Sequence, residues 1–161
     1  MRTDGFRIAR VMKYITLVLI IAFVAALMVY ASGSSRPFEA VEDAVSRSLD
    51  KSNLTRQDGA AFKREFGLSE ADYQGVMYYA SEFSISAEEV LVILVKDESQ
   101  VQEVTEAIEK QTEARKNDFD GYAPEEVKLL EDAKQSVRGK YIFFAAAPKA
   151  DEYLEAFSNS L

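Results

Sequence analysis

Neither cysteine nor histidine occurs among the 161 residues of this chain. Without cysteine there are no disulfides, no thiol nucleophile and no lipid attachment through a cysteine sulfur. A domain exported without disulfides must rely on its core alone. Without histidine there is no His-assisted nucleophilic triad, none of the usual zinc ligand sets, and no imidazole base near neutral pH. Enzymatic chemistry is left to carboxylates, Lys, Ser, Tyr or Arg. Positive charge is also scarce, with 19 Lys and Arg against 27 Asp and Glu.

One stretch, Tyr14 to Ser35, lacks charge altogether, and most of it is strongly apolar. Tyr14–Ala31 spans 18 residues. As a helix that is about 27 Å, close to a hydrocarbon core of about 30 Å. Ten of these residues are Leu, Ile, Val or Phe, which favours insertion by about 3–6 kcal/mol with no charge to oppose it. Arg2, Arg7, Arg10 and Lys13 precede the run and only Arg36 lies close behind it. The positive-inside bias then keeps the N-terminus cytoplasmic and sends the remainder out. Val29-Tyr30-Ala31 also passes as a signal-peptidase site, but signal-peptide apolar regions span only about 7–15 residues. The expectation is a retained signal-anchor, with secretion after cleavage near Ala31 as the alternative.

The organisation that follows is a basic cytoplasmic tail at 1–13, a transmembrane helix at 14–31, a linker at 32–36 and an extracytoplasmic domain at 37–161. Residues 32–161 carry 15 basic and 26 acidic side chains, a net charge of −11. Nucleic acid and anionic lipid surfaces are poor partners for such a domain. A basic protein, a cation or a neutral ligand is better tolerated.

Within the domain, Pro37 suits the first turn of a helix, and Val41, Val45 and Leu49 recur at helical spacing. Thr55 with Asp58 reads as an N-cap, and Gly67 as a stop after Phe62 and Phe66. Val76–Phe83 and Val90–Val95 read as two strands of an antiparallel hairpin. The second is apolar on both faces, as in a central or doubly covered strand. Asp97 with Gln100 opens a long helix whose buried side is Val101, Val104, Ala107 and Ile108. Asp120-Gly121 is a turn, Pro124 starts a helix ended by Gly139, Tyr141–Ala147 is a third strand, and Asp151–Phe157 is a closing helix. The expected fold is therefore α+β: a small, mainly antiparallel three-stranded sheet packed with helices.

Several segments together carry a resemblance. They are Asp72-Tyr73-Gln74-Gly75-Val76, Ser86-Ala87-Glu88-Glu89-Val90-Leu91, Val95 to Val101, Phe119 to Glu125 and Gly139-Lys140-Tyr141. The chain from Leu54 to Phe157 resembles an uncharacterised family of small extracytoplasmic domains of Gram-positive bacteria, many of them lipoproteins. This chain lacks the lipobox cysteine of such lipoproteins, and Ile85 stands where the resemblance leads one to expect Met. The family implies a fold and an address but no activity, cofactor or catalytic residue.

Motifs with chemical meaning are few. Ser48-Leu49-Asp50-Lys51 fits Ser-x-x-Lys, but about one chance match is expected, and neither Ser-Asp-Asn nor Lys-Thr-Gly follows. Asp118-Phe119-Asp120-Gly121 matches half a calcium loop, yet the register puts Lys116 at the first ligand and Val127 at the bidentate Glu. The carboxylate pairs Glu88/Glu89, Asp97/Glu98, Glu125/Glu126 and Glu131/Asp132 fall where strand starts, helix starts and exposed faces expect acids. No catalytic, metal or cofactor-binding residue is assigned. The candidate residues are Phe119, Tyr122 and Pro124, which either pin a loop or form a contact patch, with Tyr122 expected to point inward. The expected role is a membrane-anchored interaction or accessory module of the cell envelope, contacting an unknown envelope protein or polymer. The alternative is a carboxylate-dependent hydrolase of envelope polymer.

Overall fold

The computed structural model describes residues 4–31 and 36–161, with side chains for 12–25 and 36–161. The chain divides into two compact units at residues 33 and 34. In the first, α1 (Asp4–Ala31) is one continuous helix. Its described large apolar side chains, including Ile15, Leu17–Ile21, Phe23 and Val24, are all exposed. Among the described residues no helix is long and apolar enough to cross a membrane. The expected 18-residue span reaches beyond the described side chains of α1. The cleavage site expected at Ala31 and the linker before Arg36 lie outside the described side chains.

The second unit has the order α2 (Phe38–Ser48), β1 (Leu54–Arg56), α3 (Gly59–Phe66), β2 (Gly75–Ser81), β3 (Glu89–Leu94), α4 (Gln100–Phe119), α5 (Pro124–Glu131), β4 (Lys134–Arg138), β5 (Tyr141–Ala146) and α6 (Ala150–Ser160). A single turn of 3₁₀ helix at Glu70–Asp72 precedes β2. The strands form one five-stranded sheet in the order β1-β2-β3-β5-β4, with every neighbouring pair antiparallel.

Alternation along the strands builds two cores, one on each face. Tyr78, Ala80, Leu91, Ile93, Ile142 and Phe144 face α3, α4 and α5, where Phe62, Phe66, Val104, Ile108, Phe119 and Leu130 meet them. Met77, Tyr79, Val90, Val92, Tyr141 and Phe143 face α2 and α6, where Val41, Val45, Tyr153 and Phe157 meet them. Phe143 and Phe157 stack with centroids 5.1 Å apart. Every residue of β3 and β5 is buried, as expected of strands apolar on both faces.

The sheet has five strands rather than three, and both additions lie at its edges. Thr55 belongs to β1, paired with Ala80, and is not a helix cap. Asp58 holds that role, its Oδ1 accepting from the Ala61 amide at 2.8 Å. Gly67 does end α3, at φ +73°, where a Cβ would be strained. The helix opened by Pro124 stops at Glu131, and 134–138 continues as β4 before a two-residue turn through Gly139 (φ +58°) into β5. A positive φ at the first turn residue is what a two-residue hairpin requires. β2 also ends earlier than expected, so Phe83 lies in the loop after it. Half of the expected Asp97/Gln100 box forms: Gln100 Oε1 accepts from the Lys96 and Asp97 amides at 2.9 and 3.2 Å. Asp97 Oδ1 instead accepts from the Ser99 amide at 2.9 Å, and Ser99, not Asp97, immediately precedes α4.

Candidate functional site

Phe119, the last residue of α4, completes that helix's buried stripe and is only 3% exposed. The Arg115 guanidinium lies 5.5 Å from its ring centroid. The chain then reverses through Gly121 at φ +83°, and the Ala123 amide donates to the Phe119 carbonyl at 3.0 Å. Pro124 occupies the first turn of α5, where its missing N–H costs nothing. Tyr122 is 63% exposed, so its expected inward orientation is corrected. Phe119 already fills the slot beneath the loop, and Tyr122 leans on its outer side with centroids 5.9 Å apart.

Opposite this turn sits the loop joining β2 to β3, which presents Phe83 at 62% and Ile85 at 70% exposure. Hydrogen bonds to the α4–α5 layer hold it in place. Arg115 Nη2 donates to the Ser86 carbonyl at 2.8 Å, and the Ala87 amide donates to Glu126 Oε2 at 2.6 Å. Ser86 Oγ accepts from the Glu88 amide at 3.2 Å. Between loop and turn lies an open cleft of about 390 Å³. It is lined by Phe83, Phe119, Tyr122, Arg115, three serines and the acids Glu65, Glu82 and Asp118.

The four carboxylate pairs do not form this cleft. Glu88 and Glu89 diverge, as adjacent strand residues must. Glu88 accepts from Asn53 Nδ2 at 3.4 Å. Glu89 is fully buried, accepting from the Tyr78 hydroxyl at 3.1 Å and from Gln111 Nε2 at 3.0 and 3.2 Å. Burial pushes the Glu89 carboxyl above its ordinary value, opposed by the Arg115 charge and by the bonds from Gln111 and Tyr78. Burial and the nearby Glu89 charge push the Tyr78 hydroxyl up as well. Asp97, Glu98, Glu125, Glu131 and Asp132 are exposed. Among the described residues no group of three or more Asp and Glu side chains is placed to hold a metal ion. At the Ser-x-x-Lys match, the Ser48 hydroxyl is spent on the Val45 carbonyl at 2.7 Å and Lys51 is exposed.

Hydropathy places a loop at residues 84–87 but misses the exposed Phe83 at its start and the buried acid Glu89. Phe83 follows a strand so directly that it reads as its continuation. Glu89 holds the same-face position two residues before Leu91, a weak sign of burial in a strand otherwise apolar.

These features define a three-layer helix–sheet–helix domain with an aromatic, acidic cleft between two loops. The chain belongs to the family described as Domain of unknown function (DUF4358), whose model matches residues 47–147. That span runs from the end of α2 to just past β5 and contains every residue lining the cleft, while α6 lies outside it. No curated protein and no solved structure matches the chain significantly.

Proposed function

We propose that this chain is a membrane-anchored interaction or accessory module of a Gram-positive-type cell envelope, with the cleft between Phe83 and Tyr122 as its contact surface. One observation carries the reading. Phe83, Ile85 and Tyr122 are each more than 60% exposed; Phe83 and Tyr122 line one cleft, and Ile85 sits between two of its lining serines, Ser84 and Ser86. Scattered apolar residues on a surface need no explanation, whereas grouped ones mark interaction sites. The anchor rests on the uncharged apolar run Tyr14–Ala31 and its basic N-terminal flank. The extracytoplasmic address follows from that orientation and from the resemblance to exported domains.

A hydrolase needs two carboxylates converging on substrate, one with raised pKa. Burial raises two carboxyls, Glu88 and Glu89. Glu89 has no exposed surface, Glu88 turns away to Asn53, and neither lines the cleft, so no observation favours that alternative. The test is a photo-crosslinking amino acid at Ile85 or Tyr122 in native membranes. A discrete crosslinked partner is expected there, and none from position 43 on the exposed side of α2. Equal labelling from all three positions, or none from any, overturns the contact surface.

A further inference from the structure

We infer, on the reading that this cleft is a contact surface, that it receives a positively charged side chain, a lysine or arginine, from a partner protein. Three acids, Glu65, Glu82 and Asp118, line the cleft against one base, Arg115. That base is committed, since its guanidinium donates to the Ser86 carbonyl at 2.8 Å and packs over the Phe119 ring at 5.5 Å. Glu65 is already paired with the Arg64 guanidinium at 3.0 Å, so the acceptors that lack a matching donor among the described residues are Glu82 and Asp118. The free walls of the cleft are the Phe83 and Tyr122 rings, whose faces attract a cation at close range. An anionic ligand would meet the uncompensated like charges of Glu82 and Asp118. An uncharged one would strip water from those carboxylates without replacing it. The net charge of −11 over residues 32–161 also draws a basic partner towards this unit. A protein segment fits better than a small amine, because Ile85 offers apolar surface beyond the cleft lining.

The test uses the full chain in neutral detergent and three acetylated, amidated peptides of alternating leucine and a variable residue: lysine, glutamine or glutamate. Affinity should fall in that order, and the preference for lysine over glutamine should shrink as ionic strength rises past about 0.5 M. Glu82→Gln and Asp118→Asn should each weaken lysine-peptide binding by about two- to fivefold, and Tyr122→Ala by a similar factor of about two to five. Glu39→Gln on α2 should leave it unchanged. All four positions are exposed, and melting curves matching the parent would confirm intact folding. Equal binding of the lysine and glutamine peptides, or preference for glutamate, overturns the inference. If crosslinking at Tyr122 still captures a partner, the cation preference alone is wrong. If crosslinking fails too, the contact surface falls with it.

Discussion

The Tyr78 hydroxyl donates to Glu89 Oε2 at 3.1 Å across the β2–β3 pair, inside the layer formed by the sheet and α4. An ionised carboxylate with no exposed surface is expensive unless it is paired or well bonded. Here Gln111 of α4 supplies the other donors, reaching both carboxylate oxygens, and Arg115 contributes a favourable charge one helical turn on. Gln111 Oε1, in turn, is the one buried side-chain polar atom among the described residues with no partner. The cluster ties β2, β3 and α4 together directly beneath the loop that carries Phe83 and Ile85.

Removing the acceptor should therefore cost more than removing the charge. Glu89→Ala strands the Tyr78 hydroxyl and the Gln111 amide, at about 1–3 kcal/mol for each buried donor. Glu89→Gln keeps an acceptor and brings an amide hydrogen for Gln111 Oε1, so denaturant unfolding near pH 7 should find it as stable as the parent or more so. The pH dependence has a definite sign. Below the ordinary carboxyl value of 4.5, the folded and unfolded chains both hold the proton. As pH rises past 4.5, the unfolded chain releases it first, because burial raises the folded value. Stability is then lost between 4.5 and that raised value and stays at the lower level above it. The stability of the parent relative to Glu89→Gln should fall across this window. A difference independent of pH would mean that folding does not raise the Glu89 carboxyl above its ordinary value.

Phe119 and Tyr122 make a matched pair for separating packing from contact. Phe119→Ala empties a site only 3% exposed and should cost about 3–5 kcal/mol, as buried aromatic truncations do. Tyr122→Ala removes a ring that is 63% exposed and should change stability by no more than about 0.5–1 kcal/mol. Thermal melts of the two variants side by side check this. A Tyr122→Ala protein that melts like Phe119→Ala would show that the outer ring is structural after all.

The same two residues show what could be read from the sequence. Phe119 lies at helical spacing from Val104, Ile108 and Thr112, all buried, so periodicity carries it inward. Tyr122 comes after the helix has ended, with Asp120 (ψ 131°) leaving it and Gly121 (φ +83°) turning the chain, and beyond that point spacing says nothing about direction. The central strands were legible because burial on both faces leaves continuous apolar runs. Edge strands carry no such mark: β1 has three residues, and β4 (Lys-Gln-Ser-Val-Arg) has one apolar side chain. Charged edges suit a sheet border, but in a sequence they resemble a helix surface or a loop. The cleft is half legible: its turn at Asp120-Gly121 stands out and so does the facing loop at residues 84–87, whereas Glu82 and Phe83 read as the end of the strand before it.

Gly75 opens β2, and a Cβ built there would run into the ring of Phe38 at the start of α2. The close approach of helix ring to strand backbone is what lets α2 settle on the sheet, so glycine is required here by space. Gly75→Ala should destabilise by about 1–3 kcal/mol, the usual cost of overpacking. Phe38→Leu should recover part of that loss, because the obstacle shrinks. The two substitutions should then be non-additive in a double-mutant cycle. Additive costs would place the strain of Gly75→Ala elsewhere.

The proposed anchor makes a prediction that does not depend on the folded domain. If Tyr14–Ala31 spans the bilayer, the protein should remain in the membrane fraction after high-salt and alkaline washing, which release proteins held only by charge. Its N-terminal sequence should begin at Met1 or Arg2, since a retained anchor keeps the basic flank of Arg2, Arg7, Arg10 and Lys13. Replacing Leu19 and Ile20 with arginine should shift the protein to the soluble fraction, because each arginine near the centre of a spanning helix costs about 2.5–3.5 kcal/mol. Together the two arginines outweigh the insertion gain of about 2–5 kcal/mol left by the eight large apolar residues that remain. Both residues belong to the first compact unit, and the melting transition of the second unit should not move. An N-terminus at Ser32, with the parent protein in the medium, would instead establish a cleaved signal and a secreted domain.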